Sequence, residues 1–76
     1  MKRNVIQIIL YLGEESGYVA ECVNLPVTTQ GQTIDKTVKN MQEALALHLE
    51  GENLEEMGIT PNAPLIVSME IEPVHA

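Results

Sequence analysis

The first apolar run lies within residues 3–12 and reads Arg-Asn-Val-Ile-Gln-Ile-Ile-Leu-Tyr-Leu. Side chains alternate along an extended strand, so Val5, Ile9 and Tyr11 fall on one face and Ile6, Ile8, Leu10 and Leu12 on the other. A strand that is apolar on both faces needs cover on both. The turn residues GEESG follow, and residues 18–23 (YVAECV) predict a second strand joined to the first by a hairpin. Pro26 cannot donate to a strand ladder and ends it. Three consecutive β-branched residues then predict a short third strand over residues 27–30.

The pattern next changes its period. Thr33 is a good N-cap, and Asp35 complements the helix dipole in the first turn. Ile34, Val38, Met41, Leu45 and Leu49 recur at spacings of three and four and form one apolar stripe. Gly51 weakens a helix by about 1 kcal/mol relative to alanine, so the helix is expected to end or bend there. Leu54 and Met57 predict a further turn or two, closed by Gly58 as a C-cap. Past Thr60-Pro61-Asn62, residues 65–72 alternate as a final strand. Leu65, Val67, Met69 and Ile71 point one way, and Ile66, Ser68, Glu70 and Glu72 the other. Pro73 ends it, and residues 73–76 form an expected flexible tail.

These elements predict one α+β domain over residues 1–76: an antiparallel sheet with one long helix packed on one face, in the order β-β-β-α-β. One helix covers one face of a small sheet. The second apolar face of the first strand is therefore an expected interaction surface.

Composition sharpens that expectation. A chain of 76 residues buries only roughly 60% of the surface its unfolded form exposes, so it is marginally stable alone. The single cysteine, Cys22, excludes an internal disulfide, and His48 and His75 form no metal-ligand spacing with it. Partner contacts are the expected remedy, in a homo-oligomer such as a dimer or tetramer. Eleven acidic against four basic residues give a formal charge of −7. That charge disfavours nucleic acid, whose binding rests on Lys and Arg. It attracts a basic protein partner, and it also serves plain solubility. Met1-Lys2-Arg3 before an apolar run resembles a signal peptide, but Gln7 interrupts the run and no small-residue cleavage site follows. No stretch reaches the roughly 18 apolar residues of a membrane span. A cytoplasmic protein with no membrane association is expected.

No constellation supplies catalysis. Glu14 and Glu15 lie in a turn, Glu50, Glu52, Glu55 and Glu56 in the helical region, and Glu70 and Glu72 on the last strand. The first strand carries no carboxylate, and these groups do not converge as the ligands of a metal pair. Residual nuclease activity on Glu70 and Glu72 is the alternative that such a pair leaves. Cys22 reads as a small core hydrophobe, His48 as a helix rim residue, and His75 as part of the tail. In LPVTTQGQT, residues 25–33, the single Gly31 makes no phosphate cradle. That segment reads as a strand end, a short strand whose hydroxyls line its surface, a turn at Gly31 and the cap at Thr33. Catalytic, metal and cofactor residues are thus unassigned, and the chain is not expected to be an enzyme. Tyr11 and Tyr18, the only aromatics, are either interface anchors or a facing cross-strand pair. The expected protein interface is the hairpin: Tyr11, Glu14, Glu15, Tyr18 and Glu21.

The motifs GYVAEC (residues 17–22), Leu25-Pro26, TQGQT (29–33) and NMQEA (40–44) occur in an order that resembles the HicB-like antitoxin family. The likeness covers roughly residues 5–57. Each motif is short, and their order and spacing carry the specificity. The resemblance implies a partly degenerate ribonuclease H-like fold, with a three-stranded antiparallel sheet, one helix and a further strand. It also implies an antitoxin that binds and neutralises HicA, a small basic RNA-cleaving toxin. The chain departs from the pattern in running Leu-Pro-Val directly into threonines where many members carry Pro-Gly-Cys. His48 stands where an aromatic is common. Two-domain members append a DNA-binding module, and a sequence ending in IEPVHA is expected to be a single-domain, stand-alone member without one. The alternative is a stand-alone homo-oligomeric structural or ligand-binding domain with no cognate toxin.

Overall fold

The computed structural model describes residues 5–60, 62–71 and 73. Glu72, His75 and all of the expected tail but Pro73 lie outside the described residues. Five elements follow one another: β1 (Ile6–Leu12), β2 (Tyr18–Cys22), β3 (Thr28–Gly31), α1 (Ile34–Leu49) and β4 (Leu65–Met69). The α+β class, the order of elements and the helix on one sheet face are those the pattern predicts.

The strands form one sheet in the order β3-β2-β1-β4. β1 pairs antiparallel with β2, and β2 antiparallel with β3. β4 pairs parallel with β1, so the sheet is mixed and not antiparallel throughout. The helix is the cause. It leaves β3 at the hairpin end and carries the chain back to the start of β1, where Ile6 N–H donates to the Pro64 carbonyl at 2.9 Å. The next strand must then run in the direction of β1, as in any helical crossover.

The parity of β1 decides what is covered. Ile6, Ile8 and Leu10 are buried with Ala20, Val27, Met41 and Leu45. Each of these side chains other than Ala20 contributes about 1.5–3 kcal/mol on full burial. Gln7, Ile9 and Tyr11 face away from the helix. α1 packs on β3 and β2, which leaves β4 thinly covered: Leu65 is half-buried, but Val67 and Met69 remain 39% and 40% exposed.

Thr33 caps α1 with an extended backbone, and its Oγ1 accepts from Lys36 N–H at 3.0 Å. The buried stripe differs from the apolar one. Ile34 is exposed at the helix start, whereas Thr37 is fully buried. Thr37 meets the burial requirement by donating its hydroxyl to the Thr33 carbonyl at 2.7 Å. The helix ends at Leu49, before Gly51, which takes φ +75°. The turn expected beyond it is a separate one. Asn53 Oδ1 accepts from the Glu55 and Glu56 N–H groups, and Gly58 closes the turn at φ +75°.

Candidate protein-binding surface

The hairpin end of the sheet is held together by glycines. Gly17 sits at φ +72°, and a Cβ there would lie 2.6 Å from the Gly31 carbonyl oxygen. Left-handed backbone and a close approach both demand glycine at that position. Gly31 has the second property alone: a Cβ on it would lie 2.8 Å from both the N and Oγ1 of Thr37. Its expected role in turning the chain is therefore replaced by a packing role, because β3 and the first turn of α1 meet backbone to backbone. Asn40 adds a tether, its Nδ2 donating to the Gln30 carbonyl at 2.8 Å. Thr29 is likewise not a surface residue of β3. Register with Ala20 turns it toward the helix, where its hydroxyl is buried.

The two tyrosines do not form a facing pair. Tyr11 lies opposite Val19, and Tyr18 opposite Leu12. The five-residue turn sets that register, and alternation then sends the two rings to opposite sheet faces. Both instead border the rim of the sheet. Tyr11, Tyr18, Glu14 and Glu15 line one depression of about 890 Å³ together with Lys36 and Asn40. Glu21 stands outside that lining, on the open face, bound to Tyr11: the phenol donates to Glu21 Oε1 at 2.6 Å. The structure thus gathers four of the five expected interface residues in one place and ties the fifth to it.

Glu70 joins this group from the far side. Its N–H donates to the Leu10 carbonyl at 2.8 Å, and the pairing of Leu10 with Met69 sets it beside Tyr11. The Tyr11 pKa is raised above its ordinary 10.0, first by the hydrogen bond to Glu21, then by lost solvation and by the charges of Glu21 and Glu70. A neutral phenol flanked by two carboxylates makes an acidic stripe across β2, β1 and the end of β4 on the open face. The sequence places Glu70 on a solvated strand face but holds no signal for its neighbour. That neighbour depends on the parallel register of β4.

Elsewhere the chemistry is sparse. Cys22 is free and half-buried opposite Ile8, and His48 is exposed in the last turn of α1. Among the described residues no three His, Cys, Asp or Glu side chains gather closely enough to hold a metal ion. No described helix is long and apolar enough to cross a membrane. Comparison of the chain with protein-family models, with curated proteins and with solved structures gives no match.

Proposed function

We propose that this chain is a HicB-like antitoxin-type module that binds and neutralises a small, basic HicA-type RNA-cleaving toxin in the cytoplasm. One observation carries the reading: the family-like motifs are in contact with one another. Gly17 of GYVAEC abuts Gly31 of TQGQT, and Thr33 of TQGQT caps the helix that carries NMQEA. Asn40 of NMQEA reaches back to Gln30. Residues that resemble a family in sequence thus form one joint, inside a sheet-and-helix arrangement of the kind the resemblance implies.

Charge supports the partner's sign. The chain carries a formal −7, and the hairpin end presents Glu14 and Glu15 beside the Tyr11, Glu21 and Glu70 stripe. A basic protein is drawn to such a surface chiefly through a faster encounter, an effect that weakens as salt rises. The test is co-expression with any small basic reading frame found adjacent to this gene. Relief of that product's toxicity and co-purification with it are expected. A product that neither binds nor loses toxicity ends the antitoxin reading.

The reading includes self-association. A second reading, a homo-oligomeric domain with no toxin, is favoured by the apolar exposure of β4. It predicts an oligomer that pulls down no basic partner.

A further inference from the structure

We infer that the free edge of β4 is a self-association surface, on which a second copy of this chain adds its own β4 antiparallel to form a continuous sheet about a two-fold axis at Val67. The inference rests on the self-association in the reading above and not on the toxin. Ladder hydrogen bonds fix which backbone groups are available. Pro64 accepts from Ile6, and Glu70 donates to Leu10, so even-numbered residues of β4 address β1. In a parallel ladder alternate residues bond to the same neighbour. The N–H and C=O groups of Leu65, Val67 and Met69 therefore point outward. No hydrogen bond among the described residues reaches them.

That set is self-complementary. An antiparallel copy centred on Val67 places Val67 against Val67 and Leu65 against Met69, each pair exchanging both of its N–H···O bonds. The same pairs bring apolar side chains together on the helix side, where Val67 and Met69 are 39% and 40% exposed. Ile66, 44% exposed, meets the partner's Ser68 on the open side.

Charge selects the occupant. Residues 65–69 carry no charge in a chain of formal −7, so a basic partner has nothing to recognise there, while a like-charged copy meets no repulsion along the strand. Natural edge strands are normally blunted by charge, proline, a bulge or a covering element. The other edge, β3, is blunted in this way, since Asn40 occupies the outward Gln30 carbonyl. LIVSM has none of these devices.

The experiment is sedimentation and amide hydrogen exchange on the full chain at micromolar concentration, for the wild type and two variants. A mass of twice 8.4 kDa and protected Leu65, Val67 and Met69 amides are expected. Val67→Lys buries a like-charge pair on the axis and should return the mass to 8.4 kDa with the fold retained by circular dichroism. Val67→Pro removes an outward N–H that β1 does not use, so it should also give a folded monomer. A dimer with unprotected edge amides, or one that survives Val67→Lys, overturns the β4 edge while leaving self-association standing. A wild-type monomer overturns both.

Discussion

β3 and β4 both close the sheet, yet α1 lies over β3 and leaves β4 thinly covered. Width explains why one of them had to be left. At about 4.8 Å per strand, four strands span roughly 15 Å between the outer two, whereas a helix with its side chains is about 10–12 Å across. One helix covers two or three strands. Which ones it covers is decided by a glycine and an asparagine. Gly31 lets Thr37 approach the β3 backbone, and Asn40 holds the helix to Gln30. The helix is pulled off centre, so one edge is sealed and the other keeps exposed Val67 and Met69. In a small α+β domain, the choice of a residue without a side chain on one edge can thus determine the stickiness of the opposite edge.

The contrast between the two edges depends most on Gly31. In Gly31→Val the new side chain has no room between β3 and Thr37, whose N and Oγ1 both lie 2.8 Å from the Cβ position. Backbone cannot yield as a flexible side chain does, so a loss of about 2–3 kcal/mol is expected, as for other overpacked contacts. Gly31→Ala should lose less, because its Cβ meets the same atoms but the unfolded chain is also stiffened. Urea unfolding midpoints measure both. A midpoint for Gly31→Val equal to that of the wild type would show that the helix is not seated on this glycine.

Much of this arrangement was legible in the residues. The two parities of β1, the Thr33 cap and the alternation of β4 each follow from short-range rules, and the elements occur in the order the pattern sets, although β3 is shifted by one residue to Thr28–Gly31 and β4 ends at Met69, short of the expected residue 72. Long-range geometry was not legible. The parity of Tyr11 and Tyr18 depends on the register of the five-residue turn, and no local signal distinguishes a facing pair from a split one. Gly31 reads as a turn because glycine usually serves left-handed backbone, whereas here it serves contact with a helix six residues on. Thr37 lies outside the apolar stripe of Ile34, Val38, Met41, Leu45 and Leu49, yet it is fully buried because its hydroxyl is satisfied by the Thr33 carbonyl at 2.7 Å. Glu70 became part of the candidate site only through the parallel pairing of β4.

A gentler probe of the same edge is Asn40→Ala. Its amide donates to Gln30 at a partly open position, so the expected loss is about 1 kcal/mol, near the usual net value of a hydrogen bond. The consequence for the β3 edge exceeds the stability change. With the Gln30 carbonyl released, β3 becomes a second unblunted edge. The variant should form assemblies larger than the wild type at the same concentration in sedimentation, and an unchanged distribution would show that Asn40 is not what keeps β3 closed.

The smallest expected effect lies on the open face, at the phenol between Glu21 and Glu70. Its pKa is raised in the folded protein above the ordinary 10.0, so near that pH the folded state holds a proton that the unfolded state gives up. Stability falls with pH wherever the folded state binds more protons. The contribution of Tyr11 is therefore fully present below pH 10.0 and is lost as pH rises through the higher folded value. In Tyr11→Phe that alkaline component should vanish, so unfolding midpoints of the two proteins should converge as pH climbs past 10. Parallel curves would mean that the 2.6 Å bond to Glu21 is not held in solution. The open face would then offer a partner two independent carboxylates in place of one organised stripe.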